Sequence, residues 1–209
     1  MRLDPPFAMP GPPGGSSAST AGPSRRTLLL ALTASAGAGL TGVAAARPAH
    51  ADVAHSPNGW PVSPDPAAIG VAKQTVPGTG VRLAVVGGPG GVVLLEVARR
   101  FAAEVERLNA GACWGYAFRV NANNPGVWSN HASGTAVDLN ATLHPNGAVG
   151  TFTSGQTSRI HALVADMDRV VRWGGDYSHT VDPMHFELNV PPGSARLQRL
   201  ATAILKSRG

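Results

Sequence analysis

The chain has 209 residues, of which 43% are hydrophobic and only 14% charged, with 26 Gly and 18 Pro. That is enough apolar material for one core with long irregular segments, and it excludes a charge-rich disordered chain. The formal charge is +5, but four basic residues and one acid precede Ala51; the rest holds 13 basic and 11 acidic residues with no Lys/Arg run, which argues against a nucleic-acid partner. The single cysteine, Cys113, excludes an internal disulfide.

Residues 1–23 are rich in Pro, Gly and Ser and cannot pack a core. Ser24-Arg25-Arg26-Thr27 then leads into an apolar, Ala/Gly-rich stretch that runs to about Ala46, and Ala49-His50-Ala51 offers an A-x-A site. Charged, apolar and small-residue regions in that order predict a signal peptide over residues 1–51. The paired arginines resemble a twin-arginine export signal. The expectation is an exported protein of the cell envelope, without stable membrane insertion after cleavage. An uncleaved anchor is the alternative, but a span built from Ala, Gly and Thr inserts poorly.

Residues 52–79 carry Pro61, Pro64, Pro66 and Pro77 and read as a Pro/Gly-rich arm, draped over the domain or mobile. A domain over residues 80–209 follows. Val81, Leu83 and Val85 alternate, predicting a strand over 80–86. Gly87-Gly88-Pro89-Gly90-Gly91 reads as a loop. Leu94, Val97, Phe101, Val105 and Leu108 recur at helical spacing, with Gly111 near the expected end. Residues 114–120, 136–140, 170–173 and 184–190 read as strands. Ile160, Leu163, Val164 and Met167 define a second helix starting near Ser154 or Thr157, and Leu197, Leu200, Ala201 and Ile204 a last one after Pro191-Pro192. There is no regular βαβ alternation, so the predicted class is α+β: a small antiparallel sheet with flanking helices.

Two clusters carry chemistry. One is Ser129-Asn130-His131-Ala132-Ser133-Gly134-Thr135-Ala136-Val137-Asp138; the other is Asp182-Pro183-Met184-His185-Phe186-Glu187. A hydrolytic metal ion needs three protein ligands and an open position, plus a further carboxylate to move the proton of the attacking water. The clusters offer His131, Asp138 and His185 as ligands and Asp182 and Glu187 as spare carboxylates. Strand alternation puts Glu187 on the side of His185, with Phe186 and Leu188 on the core side. Glu187 can therefore bond the far nitrogen of a ligand histidine, or serve as the base.

The pattern Ser129-x-His131-x-x-Gly134-x-Ala136-x-Asp138, followed by Asp182-x-x-His185, resembles the VanY-like D-alanyl-D-alanine carboxypeptidases and L-alanyl-D-glutamate endopeptidases. These are zinc peptidases of the Hedgehog/DD-peptidase fold. The resemblance runs from about residue 80 to 190. It implies one Zn2+ per chain on His131, Asp138 and His185, with Asp182 as general acid/base and Arg119 holding the scissile carbonyl. Its substrate would be a peptidoglycan stem peptide. Carboxypeptidase relatives often have Glu where this chain has Asp182, which tilts the expectation toward endopeptidase cleavage. Ser129, Glu187, Trp173, Asp176 and Tyr177 are expected in supporting or substrate-shaping positions.

The other histidines have blander readings: a structural role for His161, solvated loops for His144 and His179, the arm for His55 and the signal segment for His50. Two rival functions stay open. A cysteine peptidase using Cys113 and His131 leaves the Asp182/His185 pair unexplained. A non-catalytic zinc- or wall-binding module on the same fold leaves Asp182 without a task. A monomer is the default expectation.

Overall fold

A computed structural model describes residues 53–208. The expected signal segment, residues 1–51, lies outside the described residues. Strands β1 (Val71–Thr75) and β2 (Arg82–Val86) pair antiparallel, followed by helix α1 (Gly88–Glu104). A short hairpin joins β3 (Val120–Asn121) to β4 (Asn124–Trp128). Then come β5 (Ala136–Asp138), α2 (Ser154–Asp166), β6 (Val171–Trp173), β7 (His185–Leu188) and α3 (Ala195–Arg208). Strands β5, β7 and β6 form an antiparallel sheet in that order. This is the α+β class read from the sequence, with the antiparallel pairing in three small sheets instead of one.

The register of the central sheet builds the site. Asp138 lies directly opposite His185, and Ala136 opposite Glu187. On the other side of β7, Arg172 faces Glu187 and Trp173 faces Phe186. Side chains alternate across a strand, so Phe186 and Leu188 enter the core while His185 and Glu187 share the opposite face. Phe186 meets Phe101 of α1 edge-on, with ring centroids 5.8 Å apart. Val93, Leu94, Val97, Ala98 and Phe101 form the buried stripe of α1, and Ile160 and Leu163 of α2 and Leu197 of α3 pack into the same core. Burying side chains of this size contributes roughly 1.5–3 kcal/mol each, which makes the sheet a stiff platform.

Three expectations are corrected. The segment read as a loop at residues 87–91 is largely the first turn of α1. Pro89 is tolerated there because first-turn N–H groups have no helical partner. Gly91 is required by contact: a Cβ would lie 2.2 Å from the Val86 carbonyl oxygen. Helix α1 also ends at Glu104; Val105 and Leu108 are buried beyond it because the chain folds back onto the core. Residues 114–120 are not one strand. Trp114 pairs with Asp138 as an isolated bridge, the Tyr116 N–H donates to Ala84 O (2.7 Å), and the Ala117 N–H donates to His131 O (3.2 Å). Successive residues thus bond to different neighbours, and no single ladder forms.

The Pro/Gly-rich arm is draped over the domain and contains β1. The Ser56 hydroxyl donates to Ser133 Oγ (2.8 Å), and Asn58 Nδ2 donates to Thr135 Oγ1 (2.8 Å) and Leu188 O (3.0 Å). Trp60 Nε1 donates to Val190 O (2.9 Å). No helix among the described residues is long and apolar enough to cross a membrane.

Candidate metal centre and cleft

His131 sits in a 3-10 turn, residues 130–133, between β4 and β5. Ser129 caps that turn: its side-chain oxygen accepts from the His131 N–H (3.2 Å). Gly134 ends it in the left-handed region (φ 66°), where a Cβ would also strike Val71 at 2.4 Å. The chain therefore reverses sharply and enters β5, which brings Asp138 back toward His131.

His131, Asp138 and His185 are all buried and meet at one point. His131 Nε2 lies 3.1 Å from Asp138 Oδ1 and 3.2 Å from His185 Nδ1, and His185 Nδ1 lies 2.9 Å from Asp138 Oδ1. The far nitrogens decide what the near ones offer. His131 Nδ1 is 2.6 Å from Gly115 O, and a carbonyl only accepts, so Nδ1 carries the proton. His185 Nε2 is 3.1 Å from the Glu187 carboxylate, so that nitrogen also donates. Neutral, both rings turn lone pairs toward the Asp138 oxygen. Three acceptors converging inside the protein need a cation, and two imidazoles with one carboxylate suit zinc or a similar divalent ion.

Burial alone would lower the pKa of His185, but Asp138 and Glu187 push it up to about 10. Burial would raise Asp138, yet the two imidazoles hold its carboxyl far below the usual carboxylate range. Burial likewise opposes ionisation of Glu187, and His185 and Arg172 overcome it. Glu187 is a hub: Oε1 accepts from the Tyr177 hydroxyl (2.6 Å) and from Arg172 Nε, and Oε2 from Asn130 Nδ2 and His185 Nε2.

The metal point opens into a cleft of about 80 Å3 lined by Arg119, Asn146, Arg172, Tyr177, Asp182 and Glu187 among others. Asp182 is buried. Its Oδ2 accepts from Asn146 Nδ2 (3.3 Å), while its Oδ1 has no partner among the described residues. Burial pushes its carboxyl above the usual range. The turn that presents it is tied by the Asp182 N–H to Gly174 O (2.8 Å) and by the His185 N–H to Asp182 O (3.0 Å). Gly174 is obligatory for this approach, since a Cβ there would lie 2.4 Å from Asp182 O. Arg119 is exposed on the cleft wall and forms no ion pair among the described residues. A much larger hollow, about 730 Å3, lies between residues 78–81 and the segment after α1, with Arg107 as its one charged side chain among the described residues. It lacks the grouped ionisable residues that the smaller cleft has.

Ser129, Tyr177 and Glu187 are thus gathered at the cleft, but Trp173 and Asp176 are not. Trp173 is a core residue whose Nε1 donates to Pro183 O (2.7 Å), steadying the Asp182 turn from behind. Asp176 is exposed and pairs with His161 on α2 (2.9 Å). His144, expected in solvent, is buried against Phe152 and bonds Glu106 (2.8 Å). Sequence reasoning missed Asn130, Asn146 and Arg172. A signal existed for Arg172 alone: a lone charge between Val171 and Trp173 must face away from the core. Cys113 is buried beside Asn140, outside the cleft lining, and burial pushes its thiol up, against a role as nucleophile.

Residues 122–188 match the family model of the D-alanyl-D-alanine carboxypeptidases. The match includes His131, Asp138, Asp182 and His185 and stops short of Arg119. No curated protein and no solved structure matches the chain. Together with the motif read from the sequence, the matched segment makes residues 122–188 similar to the VanY-like D-alanyl-D-alanine carboxypeptidases.

Proposed function

We propose that the protein is an exported zinc peptidase that hydrolyses peptidoglycan stem peptides. The observation that carries this reading is the convergence of His131 Nε2, Asp138 Oδ1 and His185 Nδ1 beside a partnerless, buried Asp182 Oδ1. The family match supports a peptidase acting on the cell wall. The mixed helix and antiparallel-strand architecture is consistent with the Hedgehog/DD-peptidase fold.

Zn2+ held by these three residues would supply Lewis acidity, making water nucleophilic near neutral pH and polarising the scissile carbonyl. Asp182 Oδ1 then takes the proton of the attacking water and passes it to the leaving amine. Its raised proton affinity suits both halves of that transfer. Asn146 holds the other oxygen of the carboxylate and so fixes its direction. Arg119, on the cleft wall, binds the carbonyl oxygen as negative charge develops there. Glu187 keeps the His185 proton on Nε2 and the ring in place. Ser129 does not touch substrate in this account; it sets the turn that aims His131.

The bond cleaved is the D-Ala-D-Ala linkage of a carboxypeptidase reaction, or an L-Ala-D-Glu or cross-bridge linkage of an endopeptidase reaction. The Asp at position 182 favours the endopeptidase. Mass spectrometry of stem peptides incubated with the protein, with and without a chelator, tests the proposal. Chelator-sensitive products are expected, and their masses name the bond. A folded, zinc-loaded protein that releases no product would favour a wall-binding module instead.

A further inference from the structure

The cleft continues beyond the metal point in two directions, and Arg172 stands where they meet. One depression, about 510 Å3, runs from Arg172 along Asn58, Gly59 and Asn189; the other, about 410 Å3, runs along Asn123, Tyr177 and His179. Arg172 lines both, and the metal cleft as well. Among the described residues, the only acids lining the three are Asp182 and Glu187, both buried. The open part of the groove is therefore polar and positive.

Arg172 is built for recognition as well as for pairing. Its Nε is committed to Glu187, but its two terminal nitrogens have no protein partner among the described residues, and the side chain is 49% exposed. The guanidinium is nonetheless held: it lies 5.2 Å from the Tyr177 ring centroid, and the Tyr177 hydroxyl is bonded to the same carboxylate oxygen of Glu187. A planar cation fixed along one edge, with its other edge free, presents parallel N–H donors to a carboxylate with little ordering left to pay for. It stands one carboxylate and one imidazole away from the metal point, a distance that a short stretch of extended peptide crosses.

We propose that Arg172 is a specificity residue that binds a free carboxylate on the substrate peptide, lateral to the scissile bond, so that the enzyme selects anionic stem peptides over amidated ones. This rests on the peptidase reading given above. The test compares L-alanyl-γ-D-glutamyl-L-lysine with the same peptide carrying the D-glutamyl α-carboxylate as a carboxamide. Binding is measured by calorimetry to the full chain carrying Asp182→Asn, which prevents turnover, and cleavage is measured separately with Asp182 intact. The protein should bind the acid roughly tenfold more tightly than the amide, the effect of one charge-assisted contact. Arg172→Gln should bring the two affinities within about twofold, and Arg172→Lys should restore part of the preference. A merely structural role for Arg172 predicts that both peptides weaken together, with their ratio unchanged. Equal affinities in the Arg172 protein, or a preference that survives Arg172→Gln, overturn the proposal. Selective binding without cleavage would leave it standing and remove the L-Ala-D-Glu endopeptidase reading instead.

Discussion

Asp182→Asn separates catalysis from metal binding. The substitution is isosteric. The retained oxygen can still accept from Asn146, now 3.3 Å from Oδ2, and the new amide nitrogen takes the place of the partnerless Oδ1. The backbone bonds to Gly174 and His185 are untouched, so the turn persists. What disappears is, among the described residues, the only proton acceptor in the cleft that is neither a metal ligand nor already saturated by donors. General-base catalysis contributes about 10²–10⁴-fold, so kcat should fall by that factor, about 3–5.5 kcal/mol in barrier. Zinc content should stay at that of the unaltered protein. Thermal stability should hold or rise slightly, because a buried carboxyl that resists ionisation has been neutralised. The assay is stem-peptide hydrolysis with metal analysis on the same sample. Activity within tenfold of the unaltered protein would refute the assignment of the base, and loss of zinc along with activity would make Asp182 a ligand.

Glu187→Gln leaves the His185 Nε2 proton facing a neutral amide, so zinc affinity should drop about 10–100-fold in competition with a chromophoric chelator; unchanged affinity would show that Glu187 does not support the ligand. Gly174→Ala forces a Cβ against Asp182 O at 2.4 Å; it should cost about 1–3 kcal/mol in denaturant melts and lower kcat with zinc retained, whereas full activity would mean that the turn position is not critical. The pH dependence of the metal-free protein follows from the ligand pair. His185 has its pKa raised from 6.5 to about 10, so its stabilisation is complete below pH 6.5 and is lost as pH rises through about 10. Asp138 and Glu187 have theirs lowered, so their stabilisation is present above their ordinary values of 3.8 and 4.5 and is lost as pH falls toward their depressed folded-state values. Melting temperature in chelator should peak between these limits; a flat profile from pH 6.5 to 10 would contradict the raised pKa of His185.

The metal constellation was legible because its chemistry is local in sequence. The small residues between His131 and Asp138 signal a tight reversal, and the Asp182-Pro183 turn lies three residues before His185. The alternation of His185, Phe186, Glu187 and Leu188 also placed Glu187 beside its histidine without a structure. What was not legible depends on register. The lone charge of Arg172 between Val171 and Trp173 shows that it faces away from the core, but that it reaches the cleft follows from its pairing across from Glu187. Asn146 and Asn130 are ordinary asparagines until the tertiary fold sets them beside Asp182 and Glu187. The helical start at Gly88 was hidden because glycines chosen for close contact with Val86 carry the composition of a loop.

The most direct test of the central claim measures zinc and peptidase activity on the same preparations of the unaltered protein and of His131→Ala. The account predicts one zinc per chain and chelator-sensitive cleavage of stem peptides in the first, and loss of both in the second. Cleavage that persists in zinc-free protein, or in His131→Ala, would contradict it.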